Sequence, residues 1–506
     1  MTAVRLAELV AILALGQDNA FGQPIGSQLR SCVLATELAE RMGLTADDRD
    51  TVYWVSLLRY LGCTGHAFEV AAVFGDDIET RSRTVVKDLS DPREVLREIV
   101  FHAGDGASGP QRVKDVLAML AGGRAYMEMN FQTGCEVGDS LAERLSMSDD
   151  VRASLRDTFE RWNGNGLPRG VKGTDIPLPM RIVHVTHDME AISRLQGIDR
   201  ALAFAGARSG KAYDPLVAEA FLAHGRSILE RLDDVDPWEA ALALESSPHR
   251  TVSGDVLDEA MRVAADFVDL KNPGSAGHSR AVADLALRAA KQLGMSEEEQ
   301  RNIARAGWLH DLGITAVPTS ILVKTGPLTR SELDRYELHP MLTEQMLRRS
   351  DALRELVPTA GCHHECLDGS GYPKGLTAGA LPRAARVVAA ADVYQLAVDK
   401  GTENPDVRLR DHATAGRLDA QIVEAVLVAA GHGGRATRQT YPAGLTVREV
   451  EVLVLAARGH TVKQIAAQLF ISAKTADRHI QNIYTKIGVS TRGAAALFAM
   501  ENDLLA

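Results

Sequence analysis

The chain has 506 residues, 45% of them hydrophobic and 5% aromatic, and a formal charge of −11 at pH 7. That length allows about three domains with cores of their own, and the acidic balance excludes a chain coated in nucleic acid while leaving room for a small local DNA-binding patch. Five cysteines, Cys32, Cys63, Cys135, Cys362 and Cys366, are few, odd in number and not in CxxC spacing. They suit a reducing cytoplasm better than a disulfide framework.

The chain opens "MTAVRLAELVAILALGQ", which has the look of a signal peptide, but Glu8 interrupts it and no small-residue cleavage pattern follows. An amphipathic first helix is the better reading. No apolar run approaches the ~18 residues needed to span a bilayer, so a cytoplasmic protein without a membrane partner is expected. From there the periodicity is helical almost throughout, with apolar residues three and four apart.

The chain also echoes itself. "ATELAERMGLTADDRDTVYWVSLLRYLG" returns as "DLALRAAKQLGMSEEEQRNIARAGWLHDLG". In both, a helix is followed by a cap (Thr45 or Ser296) able to accept from the first amides of the next helix. "RWNGNGLPRGVKGTDIPLPMRIV" returns as "CLDGSGYPKGLTAGALPRAARVV", and "YDPLVAEAFLAHG" as "LDAQIVEAVLVAAGHG". Three echoes in one order mean a duplicated domain. The copies part within "DVDPWEAALALESSPHRTVSGDV", giving expected domains at residues 1–250 and 255–434, a polar linker at 435–444 and a helical tail at 445–506.

The second copy carries the metal-capable residues: His278, the pair His310-Asp311, His339, the pair His363-His364, and Asp392. Imidazole with carboxylate suits Mn, Fe or Zn, and without thiolates a structural zinc site is not expected. Asp311 has two oxygens and can bridge two ions, the arrangement that activates a water between metals ~3.5–4 Å apart. His363 and His364 diverge by ~100° if helical, but at a helix end both can face one broad site. The glycines of "CHHECLDGSGYPKG" let backbone or substrate approach closely.

Residues from about Val256 to Gly434 resemble the HD-GYP family, a subgroup of the HD metal-dependent phosphohydrolases that hydrolyse cyclic di-GMP. The resemblance rests on "GHSRAVADLA", "WLHDLG", "KTGPLT", "LHPMLTEQML", "HHECLDGSGYPKGL" and "ARVVAAADVY". It implies two divalent transition-metal ions, Fe or Mn, with His310 and Asp311 at the catalytic centre. His278, His310, Asp311 and Asp392 would hold one ion and His339, His363 and His364 the other, with Asp311 bridging. Gly371, Tyr372 and Pro373 would line the substrate side, together with Lys324. Four departures stand out. Ile314 replaces a usual lysine that contacts phosphate, and Cys366 a frequent arginine. Gly274 stands where some members place a third-ion Glu, so a two-metal site is expected. "ADVYQLAVDKGTENPDV" lacks the usual Arg-Pro-x-Arg/Lys stretch, leaving only Lys400 nearby. Losing such cations removes charge-assisted hydrogen bonds to an anionic substrate.

In the first copy the echoes place Ser27 at His278, Arg59-Tyr60 at His310-Asp311, Cys135 at His339, Thr158-Phe159 at the His-His pair and His187 at Asp392. This half is therefore expected to be metal-free. Its stretch "CTGHAFEVAAVFGDD" resembles what actinobacterial relatives carry, and its role is expected to be ligand sensing, dimerisation or structure alone.

The tail, "LTVREVEVLVLAARGHTVKQIAAQLFISAKTADRHIQNIYTKIGVSTRGAAALFAM", resembles the LuxR-type helix-turn-helix domain along its length. Thr446, Thr461 and Ser472 can cap three successive helices, with Gln464 completing a capping box. On the third, Ile480, Ile483, Tyr484 and Ile487 form an inward stripe. Lys474, Thr475, Arg478, His479, Asn482 and Lys486 are the candidate DNA contacts, as a helix entering the major groove requires. Ala476 stands where that family commonly has Val. The expected fold is all-α: tandem HD-domain helical bundles, the first degenerate, and a C-terminal LuxR-type helix-turn-helix. The expected function is that of a homodimeric, DNA-binding regulator hydrolysing a cyclic dinucleotide. The alternatives are a nucleotide and metal receptor that scarcely turns over, or a metal-stabilised scaffold.

Overall fold

A computed structural model describes residues 3–89, 91–105, 107–432, 441–502 and 504–505; residues 435–440 of the expected linker lie outside them. The described residues are helical nearly throughout, as expected, with one two-stranded antiparallel pairing of Val4–Arg5 with Thr251–Val252. No helix among them is long and apolar enough to cross a membrane. Two compact units divide the chain, one essentially Val4–Ser253 and the other Gly254–Val317 with Ile321–Ala506.

Within each unit the same scaffold recurs. In the first, helix Ser27–Arg41 packs against Ala46–Leu58 and Leu178–Gln196, with Pro215–Leu232 behind. In the second, His278–Gln292 packs against Glu297–Leu309 and Arg383–Asp399, with Ala420–Ala429 in the equivalent place. The second core is built on alanines and β-branched residues, including Val282, Ala286, Ala289, Val387, Ala390, Ile422 and Val426. The expected caps form: Thr45 accepts from the Asp48 amide, and Ser296 makes a reciprocal capping box with Glu299. Each satisfies amides that no carbonyl within the helix can reach.

Backbone details repeat as well. Gly26 and Gly277 take left-handed conformations directly before helices Ser27–Arg41 and His278–Gln292. In the first copy Asp18 accepts from the amides of Gly26 and Gln28; in the second Asp269 accepts from the amide and hydroxyl of Ser279. A Cβ on Gly166 would lie 2.4 Å from the Arg161 nitrogen, and one on Gly371 2.4 Å from the Cys366 nitrogen. Only glycine tolerates either approach. Glu160 and Glu365 then accept from amides of the loops that follow.

The helices carrying His278 and His310 meet at Gly307, where a Cβ would come 2.7 Å from the Ala283 Cα. Gly307→Ala should therefore force the pair apart and cost about 1–3 kcal/mol. Gly379→Ala, with nothing within 4 Å of the added methyl, should stay within about 0.5 kcal/mol of the parent. Thermal and urea denaturation of the two variants side by side checks the contrast.

Candidate metal centre

Five separate elements deliver the metal-capable side chains to one place in the second unit. His278 begins helix His278–Gln292, Asp311 follows helix Glu297–Leu309 through His310, and His339 begins His339–Leu347. His363 and His364 follow the short helix Val357–Ala360, and Asp392 lies inside Arg383–Asp399. Gly313 makes the junction possible. A Cβ there would sit 2.0 Å from the His339 carbonyl, so the chain after the His-Asp pair lies directly on the start of the His339 helix. Thr343 ties the same spot, accepting from the Gly313 amide and donating to the His310 carbonyl.

The two oxygens of Asp311 face different partners. Oδ2 lies 3.4 Å from His310 Nε2 and 3.9 Å from His278 Nε2, while Oδ1 lies 3.3 Å from His339 Nε2 and 3.5 Å from His363 Nε2. Asp392 also divides: Oδ1 is 3.0 Å from His278 Nε2 and 3.9 Å from His310 Nε2, and Oδ2 is 3.5 Å from His364 Nδ1. The ligand atoms fall into two tight sets, His278 with His310 and Asp311, and His339 with His363 and His364. Among the described residues both such sets lie in the second copy.

The outer nitrogens fix the tautomers. Nδ1 of His310, His339 and His363 lies 2.7, 2.7 and 2.6 Å from the carbonyls of Gly307, Tyr336 and Ala360. A carbonyl only accepts, so each Nδ1 carries the proton, leaving Nε2 available to a cation. The Nε2 atoms of His339 and His363 then converge to 3.0 Å, an approach that needs positive charge between them. His310 Nε2 and Asp392 Oδ2 are buried without a hydrogen-bond partner. Unpaired buried polar groups are costly, and both are donors a cation would satisfy, so the set fits a divalent metal.

The charges agree. Burial lowers His310 to about 4 and, with His363 beside it, holds His364 well below the ordinary imidazole range. Burial would raise Asp311, but His310, His339 and His363 outweigh it and keep the carboxyl well below its usual range. Asp392 is likewise held down against burial, chiefly by His278. Ionised carboxylates among imidazoles are the hard-to-borderline donor set of Mn, Fe or Zn.

One participant escapes a motif reading. Asp399 Oδ2 lies 2.8 Å from His278 Nδ1, and Gln395 donates to its other oxygen at 2.9 Å. Such outer partners orient metal-binding imidazoles. The available signal was spacing: Asp399 follows Asp392 by two helical turns and so shares its face.

The loop at "GSGYPKG" packs on the histidine pair, with the Tyr372 amide donating to the His364 carbonyl and the Tyr372 ring 4.8 Å from the His364 ring. Cations are scarce around it. Ile314 is buried, Lys374 lies 2.5 Å from Glu344, and Lys324 lies 2.6 Å from Glu332. Lys324 is thus committed to a neighbouring carboxylate.

In the first copy the equivalent positions hold other chemistry. A Cβ on Gly62 would meet the Gly134 carbonyl at 1.9 Å, as one on Gly313 meets His339. The counterpart of His339 is therefore Gly134, not Cys135; an offset of one residue in the long helix Gly109–Arg144 leaves too little sequence likeness to align by eye. Arg59 donates to the Val183 carbonyl and faces Asp188 at 3.8 Å, and His184 Nε2 lies 3.0 Å from the Thr158 carbonyl.

In the tail, helices Val447–Ala457, Val462–Gln468 and Ala473–Ile487 follow the expected caps at Thr446, Thr461 and Ser472. Ala476 and Ile483 are buried, while Lys474, Thr475, Arg478 and Asn482 are exposed and His479 is half-buried. Lys486 is exposed too, but its ammonium is paired, 2.7 Å from Glu449 and 3.1 Å from the Gly444 carbonyl.

Residues 262–420 match the HD domain family, and residues 443–499 the luxR family of bacterial regulatory proteins. The chain is 30% identical over 395 residues to 3'3'-cGAMP-specific phosphodiesterase 3 of Vibrio cholerae, covering 77% of this chain and 85% of that protein. It is 36% identical over 177 residues to the cyclic di-GMP phosphodiesterase response regulator RpfG of Xanthomonas campestris, covering 33% of this chain and 47% of RpfG. The crystal structure of the cyclic GMP-AMP specific phosphodiesterase V-cGAP3 of V. cholerae shares the fold, with a TM-score of 0.58 at 22% identity over 85% of this chain and 98% of that one. The identity to the first relative, sustained over most of both chains, settles the family: this protein belongs to the HD-domain, metal-dependent phosphodiesterases of the HD-GYP kind, and ends in a luxR-family regulatory domain.

Proposed function

We propose that this protein is a DNA-binding regulator whose second half holds two divalent ions, Fe or Mn, and opens a cyclic dinucleotide by hydrolysis. The observation that carries the reading is the division of Asp311, one oxygen facing His278 and His310 and the other facing His339 and His363. His278, His310, Asp311 and Asp392 would hold one ion, and His339, His363 and His364, with Asp311 shared, the other. Ions held there would supply Lewis acidity and an activated water for attack at a phosphodiester. The chain's own residues do the positioning. Asp399 holds the His278 ring, the carbonyls of Gly307, Tyr336 and Ala360 keep three other imidazoles in the ligating tautomer, and Tyr372 offers a flat wall for a base. The relatives' substrates, 3'3'-cGAMP and cyclic di-GMP, are the first to try here. The buried Ile314 and the committed Lys324 and Lys374 leave the phosphates with few cations, which favours slow turnover, since phosphate positioning contributes separately from water activation. The tail would bind DNA as a dimer through Lys474, Thr475, Arg478 and Asn482, with His479 at the margin.

Purified full-length protein should carry transition metal by elemental analysis. Asp311→Ala should lose most of it, because one residue serves both ions. Asp399→Ala should keep the fold, read by circular dichroism, yet weaken metal binding by about 10- to 100-fold. A metal content unchanged in Asp311→Ala contradicts the two-ion assignment.

Metal-loaded protein should linearise cyclic di-GMP or 3'3'-cGAMP at about 0.1–1 s⁻¹, below the median enzyme rate of about 10 s⁻¹, and His363→Ala should abolish it. Tight binding without any linear product, followed by chromatography, would identify a receptor instead.

For the tail, replacing Lys474 and Arg478 together by alanine should weaken operator binding at least about tenfold, since each such contact is worth about 1–3 kcal/mol. Undiminished binding in a gel-shift titration would rule out this recognition face. Lys486→Ala should act mainly on tail stability, through Glu449.

A further inference from the structure

The first half has a partly open cavity of about 180 Å³ where the second half gathers its imidazoles. It is lined by Arg59, Tyr60, Thr158 and Phe159, the counterparts of His310, Asp311, His363 and His364, and by Arg161, the counterpart of Cys366. Its walls are flat rings. Phe131 stacks on Phe159 at 4.1 Å and 11°, and Phe21 on Tyr60 at 4.2 Å and 20°. The rest of the lining mixes aliphatic and thioether side chains, among them Val95, Ile99 and Met119, with polar ones such as Thr80, Asn130 and Asn165.

Polar groups converge at the end of the cavity that holds Asp188. Its carboxylate faces two guanidinium groups, Arg59 at 3.8 Å and Arg161 at 3.4 Å, and also accepts from the Tyr213 hydroxyl at 2.9 Å. One carboxylate against two guanidiniums leaves one positive charge over. The other cations of the lining are spent: Arg81 donates to the carbonyls of Cys63 and Ala20, and Lys87 pairs with Glu98. By contrast Arg59 Nε is buried without a hydrogen-bond partner, and Arg161 meets Asp188 only at ion-pair distance, 3.4 Å, with no hydrogen bond from that nitrogen. Arg59 is 4% exposed. Buried donors left unpaired beside a surplus charge are what an anionic group satisfies.

We infer that this cavity is a binding site for a small, flat organic anion, a carboxylate on a single aromatic ring, with the ring against the Phe and Tyr side chains and the carboxylate on Arg59 and Arg161. The size fits: an apolar cavity of about 150 Å³ accepts benzene, and this one adds room for a charged substituent. Aromatic walls prefer a planar guest, and guanidinium matches a carboxylate in two hydrogen bonds. The site is independent of metal and of the second half's chemistry.

Benzoate and its neutral counterpart benzyl alcohol test it, by calorimetry and ligand-observed NMR on the full chain. Benzoate should bind with a Kd below about 1 mM and at least tenfold more tightly than benzyl alcohol. Arg59→Met, which leaves Asp188 paired with Arg161, should bring benzoate down to the level of the alcohol. Met127→Trp, which fills the cavity from the helix Gly109–Arg144 and touches no charge, should abolish binding of both. Benzoate bound no better than benzyl alcohol, or bound equally by the parent and Met127→Trp, would overturn the assignment.

Discussion

The second half depends on one carboxylate. Asp311 is the only group whose two oxygens each approach a separate pair of imidazoles among the described residues, and the rest of that half is arranged to hold it there. A carboxylate surrounded by protein would normally be neutralised by its own protonation or by a single counter-ion. Here four imidazoles share it, and three of those have their outer nitrogens fixed on backbone carbonyls at i−3. The helices therefore set tautomer as well as position. Gly313 and Gly307 belong to the same constraint: without a side chain at either, the backbone after Asp311 can rest on His339, and the His310 helix can close on the His278 helix.

Much of this was legible in the sequence, for identifiable reasons. Helix starts could be read because Thr45, Ser296, Thr446, Thr461 and Ser472 act locally, within three residues of the amide each satisfies. The duplication could be read because its turns need glycine and proline at fixed offsets. Asp399 could not, since a carboxylate that orients a histidine from 121 positions away leaves no local trace beyond its helical face. Nor could the pairing of Lys486 with Glu449 or of Lys324 with Glu332, because a lysine's partner is chosen by tertiary neighbours among many rotamers. The Gly134 counterpart of His339 was missed by one residue for the same reason: the match lies in a backbone contact, and sequence records only side chains.

The two halves separate what the scaffold requires from what its chemistry requires. Both keep the left-handed glycine before the first paired helix, the buried aspartate that receives the amides beside it, the glycine pressed on backbone at Gly62 and Gly313, and the glutamate that receives the loop amides. These satisfy backbone groups that burial would otherwise leave unpaired, so they persist whatever the side chains at the centre do.

Those side chains can then change only as a set. Placing Arg59 where His310 stands in the second half brings a permanent positive charge into a buried space, and a buried charge needs a partner. Asp188 supplies it, and burial notwithstanding, Arg161, His187 and Arg59 keep its carboxyl ionised. Tyr60 in place of Asp311 removes the negative charge that two ions would share and fills the gap with a ring, packed edge-on against His187, the counterpart of Asp392. Phe159 in place of His364 adds a second ring, stacked on Phe131. Each replacement is intelligible only with the others: a cation without Asp188 would be stranded, and a ring without its stacking partners would leave a void. The first half is thus a second solution to the same buried space, with guanidinium, carboxylate and aromatic faces where its twin assembles imidazoles around a shared aspartate.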